Sequence, residues 1–230
     1  MKRAELPGDP PITVTLRRSG RARRLSLRVS QLDGRVTLTL PNHAPEDEGL
    51  SFLREKEAWI RGHLDRRPQD RTIGPGVTIP FRGQPVEVAL ADAGRVRVEG
   101  ARLMVSRKSA NPGTAIAAFL KLAAREHLAA RSDHHAATLG RGYERLVLRD
   151  TRSRWGSCSS QGALMYSWRL IMAPDAVSDY VAAHEVAHLV EMNHSPAFWR
   201  VVARLCPDYQ TPRRWLRENG ASLHAVRFGD

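Results

Sequence analysis

Cysteine is nearly absent. Cys158 and Cys206 are the two among 230 residues, too few for a disulfide framework. No apolar run approaches the roughly 18 residues that a helical membrane span requires, so no membrane role is expected. The opening segment MKRAELPGDPP is basic but lacks the apolar stretch of a secretory signal, and a cytoplasmic location is expected. Lysine is scarce too, with Lys2, Lys56, Lys108 and Lys121 only, so arginine carries most of the formal net charge of +12. Such a balance favours polyanions in general. The arginines are spread from Arg3 to Arg227, and basicity of that kind is a weak sign of a dedicated nucleic-acid surface. Internal repeats and low-complexity tracts are not evident.

What is present fits a globular protein. Hydrophobic residues make up 42% of the chain, enough for a core in one large domain or two small ones. Residues 12–16 (ITVTL), 25–29 (LSLRV) and 36–40 (VTLTL) alternate as strands do. A helix is expected over 46–66, with Glu46, Asp47 and Glu48 at its positive end and an apolar stripe of Phe52, Leu53, Trp59, Ile60 and Leu64. Short strands return over 77–105. The spacing changes at Ser109-Ala110-Asn111-Pro112-Gly113, after which 114–131 is helical in character. Residues 145–171 read as strands with a turn at 159–162. Pro174 opens a further helix with Asp175 and Asp179 in its first turns, and a last helix spans about 195–206. The fold class is α+β, with a β-rich region over 1–108 and a second domain over 109–230.

His184-Glu185-Val186-Ala187-His188 is an H-E-x-x-H on the helix opened by Pro174. Spacing of i and i+4 puts both imidazoles on one face, one turn apart, where both can reach one ion. The carboxylate between them is turned off that face and suits a base that takes a proton from water. His194 follows six residues after His188, beyond Glu191-Met192-Asn193, where Asn193 is expected to end the helix in a left-handed turn. The pentapeptide alone arises by chance in on the order of one such chain in fifty, and the third histidine lowers this to roughly one in a thousand. The expected site is a Zn2+ ion on His184, His188 and His194, with Glu185 as general base.

Around this motif the sequence resembles the YgjP-like metallopeptidase family. The resemblance is carried by Trp155-Gly156-Ser157-Cys158-Ser159, Trp168-Arg169-Leu170-Ile171, Ala173-Pro174, Asp179-Tyr180-Val181, the H-E-x-x-H, Asn193-His194-Ser195-Pro196 and Phe198-Trp199. It is densest over about 150–200 and weakens towards both termini, where Trp59-Ile60 and Arg17–Arg28 contribute. It implies a small zincin-like catalytic domain, a zinc ion and hydrolase activity. Ser167 departs from the asparagine that the family favours. Metzincins share the histidine spacing, but Glu191 stands where they carry glycine and no later methionine supplies their Met-turn.

A strand beside a zincin helix can pair with an extended substrate backbone. Either 163–170 or the Arg154–Cys158 segment is expected to form this rim, with Arg154, Trp155 and Ser157 as candidate substrate-binding residues. The competing reading makes Trp155 and Trp168 core, and Arg152 and Arg154 solvated charges. Tyr180, one turn before His184, either lines the cleft or packs in the core. Phe198, Trp199, Val202 and Leu205 are expected to hold the ligand helix. The function expected is peptide hydrolysis with a peptide or protein substrate. Two alternatives fit the charge: phosphoanhydride hydrolysis with a nucleotide ligand, and a nucleic-acid-associated protein with a structural zinc.

Overall fold

The computed structural model describes residues 2–229. It divides into two compact units, Met1–Gln69 and Asp70–Asp230. The boundary expected at residue 108 falls inside the second of these units. Residues 109–113 lead into a helix, because Asn111 accepts from the Thr114 N–H at 3.0 Å and Pro112 takes the first helical position.

The first unit holds a four-stranded sheet of β1 (Lys2–Leu6), β2 (Ile12–Ser19), β3 (Ser26–Val29) and β4 (Val36–Pro41), in the order β1-β2-β4-β3. Alternation in β2 and β4 sends Ile12, Val14, Leu16, Val36, Leu38 and Leu40 into one core with Leu53 and Ile60. The expected single helix is two, α1 (Glu46–Glu55) and α2 (Glu57–Asp65), broken at Lys56. Gly49 lets α1 press onto β4: a Cβ there would lie 2.7 Å from Leu40 Cδ2.

The second unit opens with β5 (Arg71–Thr72), then β6 (Thr78–Phe81), β7 (Gln84–Ala91), β8 (Arg97–Glu99) and β9 (Arg102–Ser106). Its four-stranded sheet runs β6-β7-β9-β8 with antiparallel, parallel and antiparallel pairings, the same scheme as β1-β2-β4-β3. The topology is thus duplicated although the sequence shows no repeat. Helix α3 (Pro112–Leu139) follows, burying Ile116, Leu120, Ala124 and Leu128 at i, i+4 spacing and ending at the left-handed Gly140.

A three-stranded sheet comes next: β10 (Arg145–Arg149), β11 (Gly156–Cys158) and β12 (Ala163–Ser167), in the order β10-β12-β11. Trp168–Met172, expected as more strand, is a 3-10 turn buried throughout. Helices α4 (Asp175–Ala187), α5 (Pro196–Leu205) and α6 (Gln210–His224) and the short β13 (Val226–Arg227), paired with β5, complete the unit. Helix α6 lies beyond the last helix expected from the sequence, at about 195–206.

Three polar contacts place α4, the helix of the histidine motif. Arg82, in the β6–β7 turn, grips Asp175 with two hydrogen bonds of 2.8 and 2.5 Å, and glycine at 83 allows a close approach to Pro174. Asp179, one turn on, accepts from Arg131 at 2.5 Å and from His135 at 2.7 Å, both on α3. Within the 3-10 turn, buried Arg169 donates twice to Asp150, just after β10, and once each to the carbonyls of Leu223 and Val226, tying the end of α6 and the start of β13 to this region.

Burial alone would raise the Asp179 pKa, but the His135 and Arg131 hydrogen bonds outweigh it and the net shift is downward. A lowered carboxyl pKa stabilises the fold fully above the unfolded value and less as the pH falls through the folded one. Asp179→Asn should therefore cost about 2 kcal/mol at pH 7. That deficit should shrink as the pH falls below 3.8, the ordinary carboxyl value. Urea unfolding of both proteins across pH 7 to pH 3 checks this.

Candidate metal centre

Helix α4 delivers His184 and Glu185 from its last turn and stops at Ala187, with His188 as its C-cap in right-handed conformation. The stop comes earlier than expected. Asn193 has no positive φ; the chain turns instead over His188–Glu191. There the N–H groups of Leu189, Val190 and Glu191 reuse the carbonyls of Val186 and Ala187. A short bridge closed by Ser195 N–H to Asn193 O at 2.7 Å then leads into α5, which Ser195 caps.

This reversal brings the three histidines together. One imidazole nitrogen from each of His184, His188 and His194 lies within 4.8 Å of the other two. The Nε2 atoms of His184 and His194 are 3.0 Å apart. Phe198, from the first turn of α5, lies beneath all three rings, with centroids at 4.9, 4.5 and 4.8 Å. Tyr180 is 5.9 Å from His184 and stacks on Tyr209, and Tyr209 stacks on Trp199. Phe198, Val202 and Leu205 are buried on α5, as their spacing predicts.

The donor set fits a metal ion. Tetrahedral zinc with nitrogen ligands at 2.0–2.1 Å separates those nitrogens by about 3.3 Å, inside the range from 3.0 Å upward seen here. His188 Nδ1 faces the Glu191 carbonyl at 3.0 Å. A carbonyl can only accept, so the proton sits on Nδ1 and leaves the Nε2 lone pair for an ion. Burial, and then repulsion from Arg213 and from the charged forms of His188 and His194, hold His184 neutral, its pKa pushed down to about 3. His188 is shifted down as well, chiefly by burial. Both groups thus stand ready as neutral ligands at neutral pH.

Glu185 points the other way, against β11. It is 6% exposed, and burial pushes its pKa up to about 8, opposed by the charge of Arg154. A Cβ on Gly156 would lie 2.6 Å from both Cγ and Oε1 of Glu185, so only glycine leaves the carboxylate its place. Cys158, on the same face of the strand as Gly156, is pushed up to about 11 by burial and by Glu185. It remains a thiol.

β12 is paired on both sides, so 163–167 cannot serve as a free edge; β11 is the edge next to α4. Trp155 O accepts from Ser167 N, and Ser159 N donates to Ala163 O. By the alternation of an antiparallel ladder, the backbone groups of Gly156 and Cys158 face away from β12. Among the candidate substrate-binding residues, Trp155 packs on His224 at 4.8 Å and on Gly220. Ser157 shares the face of Trp155, opposite Glu185. Arg154 is exposed at the start of the strand. The geometry therefore brings forward Gly156 and Cys158, through their main chain, which side-chain chemistry in the sequence could not reveal.

A model of the YgjP-like metallopeptidase domain matches residues 23–219. The chain belongs to the YgjP-like metallopeptidase family. It is thus a member of a family of metal-dependent peptidases, and the histidine cluster lies within the matched region. No curated protein matches the sequence. Among solved structures, the metallopeptidase zymogen of Pyrococcus abyssi abylysin is similar at 20% identity, over 40% of this chain and 93% of its own, with a TM-score of 0.36.

Gly156→Ala tests the confinement of Glu185. If Glu185 acts in the reaction, the variant should bind metal as the wild type does and lower turnover on the order of a hundredfold, since displacing a reacting group by about 1 Å can cost that much. Metal content and peptide turnover, measured side by side, decide it. Full activity would mean that β11 does not hold the carboxylate.

Proposed function

We propose that this chain is a zinc-dependent peptidase. His184, His188 and His194 hold the metal and Glu185 is the general base. One observation carries the reading: three imidazoles converge within 4.8 Å beside a buried carboxylate that makes no hydrogen bond within the protein among the described residues. Bound zinc supplies a Lewis acid that polarises a carbonyl and acidifies water. Three protein ligands leave a coordination position open, as catalytic sites do and structural sites do not.

The remaining steps belong to the chain. Phe198 walls the ligand face with apolar surface, which strengthens the electrostatic interactions at the centre. The outward backbone groups of Gly156 and Cys158 hold an extended peptide by strand addition, setting its scissile carbonyl above the histidines. Glu185 takes a proton from the attacking water and returns it to the departing amine. Its pKa near 8 without a metal falls towards the working range once a cation is close, because nearby positive charge favours the carboxylate. Peptides or proteins are the substrate class.

The direct test is Glu185→Gln assayed on denatured casein by the appearance of new amino termini. The variant should keep its fold and zinc and lose at least about a hundredfold in turnover, the usual contribution of a general base. His188→Ala should lose the zinc itself. An active Glu185→Gln protein would remove Glu185 from the mechanism.

A further inference from the structure

Most of the arginines that fix the fold of the second unit are matched to acids: Arg82 to Asp175, Arg131 to Asp179, Arg169 to Asp150 and Arg227 to Asp70. Arg213 is different. Among the described residues its side chain makes no ion pair and no hydrogen bond. It lies instead on an aromatic ring, its guanidinium carbon 4.5 Å from the centroid of Trp199. That tryptophan borders the metal centre, 5.7 Å from the His184 ring and 6.1 Å from that of His194. Tyr209 stacks on Trp199 at 5.3 Å, and the Arg213 N–H bonds to the Tyr209 carbonyl at the start of α6. The arginine is therefore anchored at its backbone and seated by its side chain.

Stacking on an aromatic ring keeps a guanidinium in place without using its N–H donors, and their planar fork matches the two oxygens of a carboxylate or phosphate. A charge held in this way, unpaired and exposed beside a reaction centre, selects what approaches. We propose that Arg213, seated on Trp199, forms a binding subsite for an oxyanion of the substrate, a carboxylate or a phosphate, next to the three histidines. The proposal rests on those histidines being the reaction centre. The substrate then carries negative charge close to the bond that is cleaved. A glutamate or aspartate side chain, a free C-terminal carboxylate and a phosphate group share this chemistry.

Binding to the full-length Glu185→Gln protein separates these sources without consuming ligand. Three labelled hexapeptides are compared by fluorescence anisotropy: one with a central glutamate and an amidated end, its glutamine twin, and that twin with a free carboxylate. Inorganic phosphate is the competitor. A charged peptide should bind about tenfold more tightly than the neutral twin, or phosphate should displace the label. Which of the three acts identifies the source. Arg213→Gln should abolish the effect, Arg213→Lys should restore part of it, and Arg217→Gln, on the same helix, should retain it. Equal binding of all three peptides without phosphate competition would overturn the subsite, as would a charge preference that survives Arg213→Gln. If Arg213-dependent binding holds while the wild type cleaves no peptide, the peptidase reading fails and the subsite stands. Cleavage without any charge preference gives the reverse.

Discussion

A straight helix cannot present three histidines spaced as these are. His184 and His188 stand one turn apart, but His194, ten positions beyond His184, would lie about 15 Å along the axis and on another face. The site exists because α4 ends at Ala187 and the chain doubles back at once. That early stop is stabilised from both sides. The turn satisfies its own N–H groups with the carbonyls of Val186 and Ala187. Ser195 then caps α5 so that Phe198 comes to rest under all three imidazoles. The rest of the second unit aims this arrangement: Arg82 and Arg131 grip the front of α4, and the edge strand β11 closes on Glu185 at its far end.

The same burial that packs the rings sets their chemistry. His184 and His188 are held neutral and Glu185 is held protonated near neutrality when no cation is close. A low-dielectric pocket resists isolated charge of either sign. On the proposed reading, a divalent ion would meet two ready ligands there, and its charge would favour the carboxylate form that Glu185 needs as a base. The arginine-rich surface acts on a different scale. The charge of Arg154 acts on Glu185 and that of Arg213 on His184, and neither side chain makes an ion pair among the described residues.

How far this was legible in the sequence depends on how local the signal is. The H-E-x-x-H helix, its start at Pro174 and the packing face of α5 rest on spacing within one element, and each appears in the structure. Trp168–Met172 is a continuous apolar run, which suits a buried strand and a buried helical turn equally, and it folded as the latter. The charge-rich α6 lacks a wide apolar stripe and was missed. The duplicated sheet order, with a parallel pair at the centre of each, depends on contacts between distant residues that no periodicity encodes. Gly156 was quoted as part of a motif without a role. Its role follows from the closeness of Glu185, a residue far along the chain.

The proposed centre holds one ion on three histidines from two sides of a chain reversal. Elemental mass spectrometry of the purified protein, with His194→Ala measured in parallel, tests this most directly. About one zinc per wild-type chain is expected, with a marked loss when His194 is removed. If the wild type binds no metal when zinc is offered at neutral pH, or if His194→Ala holds zinc as tightly as the wild type, the three-histidine centre is contradicted.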